Sequence, residues 1–464
     1  MGFNSLAFLA FLLPVLTAYY LARSNYRLQN WILLAASLVF YAYWSVGYFF
    51  LLLATVILDY GLALAIGRTT RSKTRRLLLS ISLGANLGVL GLFKYADFVT
   101  WTFSRMFGIP WHSLGLLLPI GISFYTFHSM SYTIDVYRDT IRPTSRFDDF
   151  LLYVMFFPQL VAGPIARAHW LLPQVSNPRT INPAQFRTGL YLVLAGYAKK
   201  LVVADQLAKI ANTVFNGYTR YRGLDLVIGT VAFAFQIYGD FSGYTDIARG
   251  ISRWMGFELT LNFDLPYLSR NPKEFWSRWH ISLSTWFRDY VYIPLGGNRG
   301  SEIRQYANVA LTMVLAGLWH GAAWTFVLWG AYHAALLIFW HATEKRWPAG
   351  ASSEPVYRRA VKIIGMFGLT LIGWVFFRSQ TIGQAFYILR NISWTVSPES
   401  LSLGIPVMIL AGALLMIQLW EYRTDLLVFA RLSVLSQAFV FSALLALICL
   451  FGQGPSREFI YFQF

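Results

Sequence analysis

Long apolar stretches, repeated from end to end, most constrain what this 464-residue chain can become. They occupy 5–22, 31–67, 77–93, 116–134, 150–165, 190–204, 226–238, 306–319, 322–340, 360–377, 403–420 and 436–451. A helix needs roughly 20 apolar residues to cross a hydrocarbon core about 30 Å thick, and 31–67 is long enough for a hairpin of two crossings. A backbone in lipid must satisfy its own hydrogen bonds, so unbroken apolar runs of this length form helices there. The pattern predicts an all-α polytopic membrane protein, a helical bundle of about ten to twelve spans with some re-entrant.

Charge supports that class. Only 13% of the residues are charged, whereas 56% are hydrophobic and 18% aromatic. Soluble domains carry about 25% charged residues. The formal net charge of +17 does not point to nucleic acid, because the basic residues sit in short loops between apolar runs. Cytoplasmic loops of membrane proteins collect Lys and Arg in this way. "RTTRSKTRR" (68–76) and "RSNYRLQN" (23–30) are both cytoplasmic if the 31–67 hairpin separates them, which puts the N-terminus outside. The first stretch lacks the basic region and small-residue cleavage site of a signal peptide and carries Pro14, so a retained helix is expected. The sole cysteine, Cys449, lies in the last apolar run and is expected to be a small core residue.

No repeat or long hydrophilic tract marks a second soluble domain, so 1–464 reads as one membrane domain with a functional core at about 118–341. Within that core, 238–333 mixes Trp, Tyr and Gly with Asp240, Asp246, Arg249, Arg253, Arg278, His280, Arg288, Asp289 and His320. Ionisable groups at membrane depth are costly and usually face the protein interior or a watery cavity. This block is the functional candidate.

Its densest part is "FWSRWHISLSTWFRDY" (275–290). Read as one helix, Trp276, Trp279, Leu283, Trp286, Phe287 and Tyr290 fall on one arc. Ser277, His280, Ser284 and Arg288 form a polar stripe beside it. Asn271-Pro272 and Gly296-Gly297 would bound the element. Such a helix suits the membrane interface, with Trp and Tyr in the headgroup belt. It equally suits the wall of a polar tunnel with His280 pointing inward.

"LAGLWHGAAWTFVLWGAYH" (315–333) sets His320 between Gly317 and Gly321 in an apolar run. Those glycines admit another backbone, or a substrate, close to the imidazole. A buried neutral His bonded to a carbonyl is the plain reading. General-base chemistry is the other, since imidazole exchanges a proton near neutral pH. No Ser-His-Asp arrangement and no metal-ligand spacing accompanies these histidines. His333 and His341 read as core or interface residues.

The motifs taken together resemble the membrane-bound O-acyltransferases, along nearly the whole chain. They are "LPIGISFYTFHSMSYTIDVYR" (118–138), "FFPQLVAGPIAR" (156–167), "GYAKKLVVAD" (196–205), "FQIYGDFSGYTDIARG" (235–250), "FWSRWHISLSTWFRDYVYIPLGGNR" (275–299), "GLWHGAAWTFVLWGAYH" (317–333) and "FIYFQF" (459–464).

The resemblance implies helices around a central tunnel, an essential histidine at His320 and a second active-site position at His280. Asn is common at that second position in the lipid- and protein-acylating branches, so His280 points to the bacterial cell-surface branch. Acetyl-CoA is then the expected donor, with no tightly bound cofactor and no metal. The expected setting is the bacterial inner membrane, among membrane lipids. Periplasmic acetyltransferase or esterase-type partners would place the acetyl group on an exopolysaccharide such as alginate. D-alanyl transfer to a cell-envelope polymer and a non-enzymatic glycan or acyl transporter are the alternatives. A scaffold that only recruits soluble transferases is a third.

Trp276, Arg278, Ser284, Arg288, Asp240, Asp246, Trp319 and Trp324 are expected along the tunnel, although Asp240, Asp246 and Arg249 read better as a structural brace. The donor phosphates would meet basic groups such as Lys199, Lys200, Arg278 or Arg288, with Lys199-Lys200 equally readable as a positive-inside anchor.

Overall fold

The computed structural model describes residues 1–346, 355–423, 429, 432–452 and 459–460; the last four residues of the "FIYFQF" motif, and 347–354 of the polar connection at 343–359, lie outside them. In chain order the helices are α1 (Leu6–Leu21), α2 (Tyr26–Ala42), α3 (Val46–Arg68), α4 (Ser72–Leu90), α5 (Ala96–Phe107), α6 (Ile122–Tyr137), α7 (Phe147–Met155), α8 (Phe157–Leu160), α9 (Ala168–Ser176) and α10 (Pro183–Tyr197). They continue as α11 (Asp205–Asn216), α12 (Leu224–Trp254), α13 (Pro272–Arg278), α14 (Ile281–Phe287), α15 (Glu302–His320), α16 (Trp324–Arg346), α17 (Val356–Arg378), α18 (Ile382–Asn391), α19 (Glu399–Arg423) and α20 (Val434–Phe451). Among the described residues there is no strand.

Seven helical stretches among the described residues are long and apolar enough to cross a membrane: α3, α4 running into α5, α12, α16, α17, α19 and α20. The all-α polytopic expectation therefore holds. Two expected spans are built differently. The 150–165 stretch breaks at Phe156, whose ψ of 108° ends α7, and Pro158 opens the short α8. The 116–134 stretch becomes α6, a 16-residue helix buried along almost its whole length. A helix apolar or weakly polar on every face belongs inside a large protein as readily as in lipid.

The chain forms two compact units. One comprises Met1–Val193 and Tyr244–Thr260. Two of its buried carboxylates sit among donors. Asp149 accepts from Arg27 at 2.8 Å and from Ser176 at 3.2 Å, and Asp59 accepts from Ser82 at 2.6 Å and Asn86 at 2.8 Å. Buried charge without such partners would cost several kcal/mol, about the size of a domain's whole stability. Asp246 and Arg249, one turn apart near the end of α12, pair at 3.6 Å.

The other unit comprises Leu194–Gly243 and Leu261–Phe464. Its core gathers Phe233, Phe235, Trp279, Trp329, Trp374 and Phe377 from several different segments. The α15–α16 contact is backbone on backbone: a methyl at Gly317 would sit 2.3 Å from the Phe326 carbonyl oxygen, and one at Gly330 would sit 2.4 Å from that of Met313. Small residues that let two apolar helices approach this closely are a general device of membrane bundles. Of the two expectations for Gly317, a close helix is the one realised.

Lys200 lies buried in the same unit. Its ammonium is ion-paired with Asp240 and stands 3.0 Å from Asp205, while the Phe459 ring lies 4.6 Å away. The second oxygen of Asp240 accepts the Ile460 amide at 2.6 Å. Asp240 is thus a brace, and its partner is Lys200. Cys449 is exposed, not in the core, because α20 buries little but Gln437 and presents its apolar surface outward.

Candidate active site

Residues 275–290 do not form one helix. α13 begins as the sequence predicts, with the Asn271 side chain accepting the Glu274 amide at 2.8 Å and Pro272 filling the first turn, where no backbone donor is needed. It stops at Arg278. Trp279 is extended, and His280 takes φ 43°, ψ 55°, a left-handed conformation that non-glycine residues rarely adopt.

The loop at 262–264 explains the break. The Arg278 carbonyl accepts the Asp264 amide at 3.0 Å, the Ile281 amide donates to the Asn262 carbonyl at 2.9 Å, and the Asn262 side chain accepts the Ser282 hydroxyl at 2.6 Å. Backbone groups orphaned by ending one helix and starting another are satisfied from outside. Residues strained in this way persist where surrounding contacts over-determine them, and they concentrate at functional sites.

The left-handed turn places the His280 ring among Phe241 at 4.7 Å, Trp319 at 5.8 Å and Phe263 at 6.5 Å, centroid to centroid. Burial pushes its pKa down to about 3, so the ring is neutral at physiological pH. His320 closes α15. Its ring meets Trp319 at 5.0 Å, Trp329 at 5.1 Å and Phe377 at 5.2 Å. The two imidazoles are 6.4 Å apart and inclined at 62°. Two positions forty residues apart in sequence are thus packed in one buried aromatic cluster, with Trp319 against both rings.

Other expected residues take different places. Trp319 is buried between the two histidines in the contacts just given, whereas Trp324, at the start of α16, is 43% exposed. Trp276, Ser284 and Arg288 line one cavity of about 330 Å³ with Thr312, Met313 and His341. Arg288 also pairs with Asp289 at 2.7 Å. Arg278 is held by Glu274 at 3.1 Å and donates to the Asp264 carbonyl at 3.0 Å. Partial burial would raise the Glu274 carboxyl, but bonds from Arg270 and the charge of Arg278 hold it below its ordinary value. Lys199 and Lys200 are buried, and Lys200 is committed to Asp240 and Asp205.

Sequence reasoning missed Asn262, Phe241, Phe263, Trp329 and Phe377, and read His333 as a core or interface residue. Phe and Trp are too common in this chain to stand out. His333 is buried against Phe275, Trp276 and Trp329. Asn262 had one available signal, the lone amide among the alternating polar and apolar residues 257–265 before Pro266.

The fold and this cluster define a multi-pass membrane protein with a buried histidine pair. The class narrows further by comparison. The family model described as "MBOAT, membrane-bound O-acyltransferase family" matches residues 138–378. The chain is 41% identical to the probable alginate O-acetylase AlgI of Azotobacter vinelandii, over 86% of this chain and 80% of that one. It is 43% identical to the protein of the same name from Pseudomonas aeruginosa, over 87% and 75%. The peptidoglycan O-acetyltransferase of Helicobacter pylori is 35% identical over 84% and 79%. The chain belongs to the membrane-bound O-acyltransferase family, and it is an O-acyltransferase.

Proposed function

We propose that this enzyme takes an acetyl group from cytoplasmic acetyl-CoA and moves it across the bacterial inner membrane. Periplasmic partner enzymes then place it on an exopolysaccharide, alginate or a similar polymer. The observation that carries the reading is the pair of buried imidazoles 6.4 Å apart, inside the region matched by the family model. Relatives named for alginate and peptidoglycan O-acetylation support acetyl as the group and a carbohydrate polymer as its destination.

In this mechanism His320 accepts the proton of the acceptor hydroxyl as its oxygen bonds to the thioester carbonyl carbon. The carbon–sulfur bond breaks, and the thiolate leaves with the proton that His320 returns. His280, neutral and fixed by the turn at 279–280, orients the thioester. Burial of both rings keeps water from competing as the acceptor.

Two measurements test this. Extracellular polymer from a strain lacking the gene is analysed by mass spectrometry, and loss of acetyl groups is expected. The strain is then complemented with His320→Ala, which should insert at normal abundance and restore no acetylation. Normal acetylation with His320→Ala would overturn the assignment of the base, and loss of a group other than acetyl would overturn the donor.

A further inference from the structure

Trp329 stands between two histidines. Its ring centroid is 5.1 Å from that of His320 and 4.9 Å from that of His333, and the residue is fully buried. Its indole Nε1–H has no acceptor among the described residues. An indole nitrogen only donates, and a buried donor left unpaired costs free energy that a phenyl ring at the same place would not.

Trp276 at 5.7 Å, Phe377 at 5.4 Å and Trp374 at 6.3 Å complete the wall, and the nitrogens of Trp276 and Trp374 are likewise donors without an acceptor among the described residues. The wall around Trp329 thus presents three buried indole donors without an acceptor among the described residues. That is the complement of a group that gains negative charge on oxygen.

We propose that Trp329 is a catalytic residue whose Nε1–H donates a hydrogen bond to the acyl carbonyl oxygen during transfer. This rests on the reading of His320 as the base. As the acceptor oxygen bonds to the carbonyl carbon and its proton passes to His320, the electron pair of the carbonyl π bond moves onto oxygen, where Trp329 meets it. The pair returns as the carbon–sulfur bond breaks, and the thiolate takes the proton from His320. A carbonyl attacked by a hydroxyl bonded to His320 lies beside that imidazole, and Trp329 is packed against the same ring. Donors preset for a developing oxyanion act on the transition state more than on the bound substrate.

The test uses the full-length protein in detergent with acetyl-CoA and an alginate oligosaccharide as the hydroxyl acceptor. Trp329→Phe keeps an aromatic ring and removes the N–H. Its kcat should fall about 100-fold or more, the usual effect of losing one oxyanion donor, with the KM for the donor unchanged and the melting temperature not lowered. A full-rate Trp329→Phe beside an inactive His320→Ala overturns the donor assignment alone, whereas an active His320→Ala overturns the reading beneath it. Wild-type protein labelled with ¹⁵N-indole tryptophan gives a measurement independent of any variant. On adding a ketone analogue of acetyl-CoA, with CH₂ in place of sulfur, the indole signal showing cross-peaks to the rings of both His320 and His333 should move downfield. No movement of that signal overturns the proposal.

Discussion

The imidazole of His280 lies 6.4 Å from that of His320, and both are reached through short backbone devices: a left-handed turn for the first and the last residue of α15 for the second. Neither ring rests on a flexible loop. His320→Ala is expected to reduce transfer to background, and His280→Asn to lower kcat by about 10–1000-fold while leaving more activity than His320→Ala, since asparagine keeps a hydrogen-bonding group at position 280 whereas alanine removes the proton acceptor at 320. Transfer of labelled acetyl from acetyl-CoA to an alginate oligosaccharide by purified protein checks both.

Asn262 holds the break that creates the His280 position. Asn262→Ala removes the acceptor of the Ser282 hydroxyl at 2.6 Å and amide at 3.3 Å. A destabilisation of about 1–3 kcal/mol is expected, with faster amide exchange at 279–283. Unchanged exchange in that segment would show that the loop does not hold the turn.

Acidification should act through His280. Its folded pKa of about 3 lies below the ordinary histidine value near 6.5, so the unfolded chain binds more protons between these limits. Its contribution to stability is complete above about pH 6.5 and falls by up to about 1.4 kcal/mol per pH unit below it. The melting temperature of the wild type should therefore drop more between pH 7 and pH 5 than that of His280→Gln. Equal drops would remove His280 from the pH response.

Lys200 and Asp240 should be worth more together than singly. Lys200→Met leaves a buried carboxylate and Asp240→Leu a buried ammonium, each expected to cost about 3–5 kcal/mol, whereas the double variant should recover a large part of the loss. Thermal melts of the three proteins give the coupling energy. Additive losses would mean that the pair does not act as a unit.

Gly317→Ala is expected to be poorly tolerated despite the high helix propensity of alanine. The added carbon would lie 2.3 Å from the Phe326 carbonyl oxygen, so α15 and α16 would have to separate, at a cost of about 1–3 kcal/mol. Gly365 on α17, where an added methyl group would meet only open space, is the control and should accept alanine with little change. Melting temperatures of the two variants make the comparison.

Apolar run length was enough to read the class of protein from the sequence, and motif content was enough to read the family and to single out His280 and His320. Helix period also located both ends of the 271–297 region correctly, through Asn271-Pro272 and the glycine turn at 296–297. It failed between them. Periodicity sees only side-chain pattern, and the arc from Trp276 to Tyr290 is as good in two short helices as in one. Cys449 shows the same limit: an apolar run does not say which of its faces meets protein.

The sequence by itself determined that the chain lives in a membrane, that it is helical and that two histidines stand out in its polar-aromatic middle. Hydropathy and local motif are properties of neighbouring residues, and they survive without a fold. Only the tertiary structure decided that Asn262 breaks the helix at His280, that Lys200 is the partner of Asp240, that Gly317 admits a helix and that Trp329 stands against His320. Each of these joins groups distant in sequence, and each is settled by which buried groups meet once the helices have packed.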